Sequence, residues 1–262
     1  MAYTLLLSHP PHGQGNLALA APHLGLSPPD LALKAKYPIP EIWAAEEDAQ
    51  RLAVVTRAAA QGGLRVVTVP GDALLGIPSR VVLGAVTVTG SGLVLQGAGT
   101  RLEMTWGAAV IGVYYTPRPG AADPGARTVK AQGASCDAGF FEFYLPAGSV
   151  VQRFAALPDA TAFSGLGGGA ALSPAGRLAR LVQLCEERFT SAQVDQRLLN
   201  MQVRNWPPPG PSPKLLLRKG YSFASTGLAE LLAKLGPSLV NISHCELSSR
   251  LVYLTLRFGE QP

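Results

Sequence analysis

The sequence predicts an α+β protein. It reads as a small N-terminal β-α-α-β-α-β module, then an antiparallel β-rich module with one amphipathic helix, then a C-terminal β-α-β-like piece. Three observations predict this. Helix caps and helical apolar spacing alternate with short apolar runs over residues 1–72. From Arg80 the texture changes to β-branched runs separated by glycines, which marks residues 78–205 as the β module. A proline run at 206–213 then sets apart residues 214–262.

Residues 3–7 (YTLLL) form a short buried strand, because an apolar run of that length, closed by His9-Pro10-Pro11, is too short for a stable helix. Asn16 to Leu24 and Asp30 to Lys36 read as two short helices. Ser27 caps the second, with proline in its first turn and Asp30 as the capping partner. Residues 41–44 (EIWA) give a strand. Glu46-Glu47-Asp48 then place carboxylates at the positive end of a helix with Leu52, Val55 and Ala59 on one face and Gly62-Gly63 at its end. LRVVTV (64–69) closes the module as a β-branched strand.

That order, over LGLSPPDLALKAKYPIPEIWAAEEDAQRLAVVTRAAAQGGLRVVTV, resembles the α/β fold shared by the C-terminal domain of the ribosomal stalk protein and the ClpS adaptor. In that family a helix-pair surface docks partner proteins, so the resemblance implies protein binding. No specific peptide-binding residue carries over to a position here.

In the β module, VVLGAVTVTG, GLVLQ, TRLEMTW and AAVIGVYYT predict an antiparallel meander, continued by GFFEFYL (139–145) and SVVQRFAAL (149–157). The stretch 117–135, rich in Pro, Gly and Ala, reads as a long loop. Ser173-Pro174 supplies an N-cap and an N1 proline for a helix over 173–189, with Leu178, Leu181, Val182, Cys185 and Phe189 on one face. Strands followed by one such helix, with the rhythm GLVLQ…TRLEMTWGAAVIGVYY, resemble a bacterial pleckstrin-homology-like module. Beyond the extended linker WPPPGPSP, KLLLRKGYSF and LVYLTLRF read as strands bracketing a helix that carries Leu228, Leu231, Leu232 and Leu235.

The chain has 262 residues, 47% hydrophobic and 15% charged, which excludes overall disorder and implies a sparsely charged surface. The net charge of +5 is spread out, with no block of five or more like charges, so it says little about nucleic acid, which is not the expected partner. Cys136, Cys185 and Cys245 are odd in number and lack CxxC spacing, so they read as reduced thiols in the core. The N-terminal apolar run is too short for a signal peptide, and no stretch reaches the roughly 20 residues of a spanning helix. A cytoplasmic location follows as the expectation.

Each candidate for chemistry has a plain structural explanation beside it. His9, His12 and His23 are spaced so that a loop folded back would gather them around a metal, yet histidines beside prolines in a turn are ordinarily just solvated. His244-Cys245-Glu246 offers nucleophile, base and acid in a row, but on a strand Cys245 faces away from its neighbours. The carboxylates at Glu46-Glu47-Asp48 and Glu186-Glu187 are explained by capping and solvation. Arg177, Arg180 and Arg188 with Lys214, Arg218 and Lys219 make a thin basic face, with Tyr221 and Phe223 as stacking rings. The glycine turn Ser164 to Gly169 before the helix supplies a speculative phosphate site: Gly165, Gly167, Gly168, Gly169 and Arg177. It lacks the Walker lysine and the GxGxxG order.

These readings favour a non-catalytic protein-binding or scaffolding protein that self-associates or joins a complex, with no cofactor, no metal and no catalytic residue assigned. The alternative is an enzyme or nucleotide-binding protein that uses the glycine turn 164–169.

Overall fold

The computed structural model describes residues 3–13, 15–117, 139–147, 150–167, 172–201 and 244–259. The linker 206–213, the loop after Pro117, the strand at KLLLRKGYSF and the helix carrying Leu228 to Leu235 lie outside the described residues. The chain is α+β. Its elements run β1 (Thr4–Ser8), α1 (Leu17–Ala20), a 3-10 turn (Pro22–Leu24), α2 (Pro28–Ala35), β2 (Ile42–Glu46), α3 (Ala49–Gln61), β3 (Val66–Pro70) and α4 (Gly71–Leu75). Next come β4 (Val81–Val82), β5 (Ala85–Val88), β6 (Gly92–Gly97), β7 (Thr100–Thr105), β8 (Val110–Pro117), β9 (Phe140–Ala147), β10 (Val150–Ala156) and β11 (Ala162–Ser164). Last are α5 (Pro174–Arg188), β12 (Ala192–Met201) and α6 (His244–Gly259). The chain divides into two compact units, residues 1–76 with 204–262, and residues 77–203.

In the first unit, β1 pairs antiparallel with both β2 and β3, giving the sheet order β2-β1-β3. Alternation explains why YTLLL reads as one apolar run: Leu6 packs towards Leu52 and Val55 of α3, and Leu5 and Leu7 are buried on the opposite face. The β-α-α-β-α-β order is present as expected, because each helix carries its start signal. Ser27 Oγ accepts from the Asp30 amide at 3.3 Å and donates to the Asp30 carboxylate at 2.6 Å. The start of α3 differs from expectation. Asp48 is the cap, with Oδ1 accepting from the amides of Gln50 and Arg51, so Glu46 remains in the strand and the helix opens at Ala49.

The C-terminal segment corrects the β-α-β-like reading. LVYLTLRF is not a strand but the second half of α6, which lies against β1, β3 and α4. A Cβ added to Gly259 would come within 2.9 Å of the His9 ring, so the helix ends tight against the end of β1. The physical reason is burial on all sides: from Leu247 to Thr255 every residue is buried, Ser248, Ser249, Arg250 and Thr255 included. With no solvated face there is no polar stripe, and the helical period becomes invisible.

The second unit contains two sheets, in the orders β11-β5-β6-β7 and β12-β8-β9-β10-β4. The expected antiparallel meander is present as two separate ones, β5-β6-β7 and β8-β9-β10. Three edge pairings are parallel instead: β4 with β10, β11 with β5, and β12 with β8. The ten residues of β12, AQVDQRLLNM, carry five polar or charged side chains among few β-branched ones and gave no strand signal. Between the two sheets and α5 lies the core, built from Val86, Leu95, Met104, Phe141, Phe143, Phe154, Leu178, Leu181, Cys185 and their neighbours. Ser173 caps α5 as expected, accepting from the Gly176 amide at 3.1 Å.

Candidate functional site

The speculative phosphate site is only partly described. Gly165 and Gly167 both have positive φ, 72° and 70°, the left-handed backbone that glycine adopts without cost. A Cβ at Gly165 would stand 2.3 Å from the Val88 carbonyl oxygen, so this glycine is required by the close approach of β11 to the end of β5. Gly168 and Gly169 lie outside the described residues. Arg177 sits in the first turns of α5, and its buried Nε has no hydrogen-bond partner among the described residues.

The other candidates disperse. No group of three or more His, Cys, Asp or Glu side chains gathers among the described residues. His12 Nδ1 accepts from the Arg65 amide at 3.1 Å, its ring lies 5.1 Å from that of Trp43, and burial holds its pKa below the usual histidine value, helped by the Arg65 charge. His23 sits exposed on the 3-10 turn. The His244-Cys245-Glu246 triplet begins a helix rather than lying on a strand. Glu246 pairs with Arg250 at 2.9 Å. Cys245 is disulfide-bonded, which corrects its reading as a reduced core thiol. Cys185 is free and buried, as expected, and Cys136 lies outside the described residues. Since disulfides are rare in the reducing cytosol, the cysteines no longer speak for a cytoplasmic location. Of the arginine face, Arg180 lies 3.6 Å from Glu187 and Arg188 sits over the Trp106 ring at 5.4 Å. Lys214, Arg218, Lys219, Tyr221 and Phe223 lie outside the described residues.

Sequence reading missed a dense, buried polar cluster among the described residues. Glu142 on β9 and Arg153 on β10 are both fully buried, on the sheet face opposite Phe141 and Phe143. Arg153 Nη2 lies 2.8 Å from Glu142 Oε1 and Nε lies 3.1 Å from Oε2. The Tyr144 hydroxyl donates to the same carboxylate at 2.9 Å, and Arg80 Nη1 stands 3.7 Å from it. The signal was present: GFFEFYL and SVVQRFAAL each hold one charged residue in an otherwise apolar strand. With the carboxylate saturated by donors and closed to solvent, this cluster is built to lock three segments together, not to meet a substrate.

An open feature lies at the β6–β7 hairpin. The turn residues Ala98 and Gly99 both have positive φ, 46° and 76°, the geometry of a type I′ turn. A shallow groove of about 400 Å³ runs along Gln96 to Arg101, with Gly84 and Ala85 on its other wall. β7 is the last strand of its sheet, and no described strand pairs with its outer edge. Its outward side chains Arg101 and Glu103 are 64% and 69% exposed and lie 2.7 Å apart. Leu102 and Met104 point to the core.

No helix among the described residues is long and apolar enough to cross a membrane. Comparison with protein-family models, with curated proteins and with solved structures finds no match to this chain, so both resemblances rest on element order alone.

Proposed function

We propose that the chain is a non-catalytic protein-binding or scaffolding protein that takes a partner strand along the outer edge of β7. The observation that carries this reading is the unpaired edge itself. A strand of six residues leaves the outward N–H and C=O groups of Arg101 and Glu103 without partners among the described residues, and strand addition satisfies them. A rigid hairpin turn holds the edge in place, and a core of large side chains backs it, so little ordering cost accompanies binding. Among the described residues, two buried or half-buried carboxylates are already paired: Glu142 with arginines and a tyrosine, Glu246 with Arg250.

Glu103→Pro tests the reading. Proline removes one outward donor and is tolerated on an edge strand. The variant is expected to keep the circular-dichroism melt of the wild type and to lose protein partners retained by the full-length wild-type chain. Equal retention by a folded variant overturns the reading.

Arg177 favours one second reading, a phosphate or nucleotide held at the start of α5, because its buried Nε has no partner among the described residues. Thermal stabilisation by inorganic phosphate or a nucleoside triphosphate, lost in Arg177→Met, would support it. A flat response in the wild type disposes of it.

A further inference from the structure

We propose that the occupant of the β7 edge is a second copy of this chain, joined β7 to β7 in antiparallel fashion about a two-fold axis at Leu102. The inference rests on the strand-addition reading above, and names its partner and register.

Backbone geometry restricts the choices first. The β6–β7 hairpin closes on Gly97 and Thr100 across a two-residue turn, so Gly97 with Thr100, Leu95 with Leu102 and Leu93 with Met104 are the pairs that exchange hydrogen bonds within it. The backbone groups of Arg101 and Glu103 therefore face outward. An antiparallel partner must set outward residues against outward residues. When the partner strand is identical, the central registers are Arg101 opposite Arg101, Glu103 opposite Glu103, or Arg101 opposite Glu103.

Charge then selects among them. The first two registers place like charges directly across the seam. The third places opposite charges across it, and the two-fold axis repeats the pair, giving two ion pairs and four new backbone hydrogen bonds. Leu102 meets its own copy between them as a closely spaced pair, on the face that already packs on the core. Leu102 is partly exposed in the single chain, and this contact covers its remaining surface. Edge strands are ordinarily protected by charged side chains. This edge carries both signs, in an order that complements itself under rotation. The Arg101–Glu103 pair within the strand is exposed to water, so exchanging it for the pair across the seam costs little.

Sedimentation equilibrium on the full-length chain tests the register with four proteins: wild type, Arg101→Glu, Glu103→Arg and the double swap. Each single change makes the edge uniformly acidic or uniformly basic, and is expected to weaken dimerisation by at least about tenfold. The double swap is expected to restore it, and mixing the two single variants is expected to give a heterodimer. Both substitutions touch exposed side chains, so each protein keeps the wild-type melt. Dimerisation of the single variants at wild-type strength overturns the register and assigns self-association to another surface. A failure of the mixed singles to associate also overturns it. A wild type that stays monomeric at every concentration overturns the second-copy proposal and leaves strand addition to be judged by Glu103→Pro.

Discussion

Arg153 reaches diagonally across from β10 to hold Glu142 of β9 through two nitrogens, at 2.8 and 3.1 Å, with both side chains fully buried. A charge placed there alone would be expelled from the fold; as a pair the two close off a sheet that is covered on both faces. Removing one partner leaves the other charge stranded. Glu142→Gln is expected to destabilise by roughly 3–5 kcal/mol in urea unfolding, and the joint replacement Glu142→Leu with Arg153→Met to cost less than either single change. Additive costs would show that the two residues act independently.

The β6–β7 turn holds Ala98 at a φ of 46°, where a Cβ is crowded and asparagine is at home. Ala98→Asn is expected to raise stability by about 1 kcal/mol in the same assay. A loss of stability would mean that the turn differs from type I′.

Two neighbouring glycines separate packing from backbone strain. Gly165 and Gly167 share the left-handed backbone, but only Gly165 has a carbonyl, that of Val88, in the space of a Cβ. Gly167→Ala is expected to cost about 1 kcal/mol, and Gly165→Ala distinctly more, since β11 must be pushed from β5. Thermal melts of the two variants give the comparison, and equal costs would contradict it.

His12 makes stability depend on pH. Burial and the Arg65 charge set its folded pKa below the unfolded value near 6.5. The unfolded chain therefore takes up this proton first, so the contribution is complete above about pH 6.5 and is lost as pH falls towards the folded value. Urea unfolding between pH 7.5 and 5 is expected to show a steeper fall for the wild type than for His12→Gln. Parallel curves would contradict the burial of a neutral imidazole.

The parts of the fold that the sequence revealed are those that advertise themselves locally. Ser27, Ser173 and Gly62-Gly63 signal helix ends by their own hydrogen bonds and backbone preferences, so the first 70 residues and α5 are legible one element at a time. What stayed hidden depends on distant partners. LVYLTLRF alternates like a strand and becomes a helix because every side of it is buried. AQVDQRLLNM becomes β12 because β8 offers a parallel edge. Of the phosphate-site glycines, Gly165 and Gly167 hold left-handed backbone, and packing against the Val88 carbonyl is enough to demand Gly165. The β7 edge was readable as the strand TRLEMTW, while its outermost place in the sheet was not, because strand order is a property of the whole unit.

Hydrogen exchange at β7, followed at increasing protein concentration, tests the use of this edge most directly. The amides of Leu102 and Met104 bond to β6 in the single chain, whereas those of Arg101 and Glu103 face outward. Protection of Arg101 and Glu103 should rise with concentration while Leu102 and Met104 stay unchanged. If Arg101 and Glu103 exchange at one rate from dilute to concentrated solution, the edge takes no second copy.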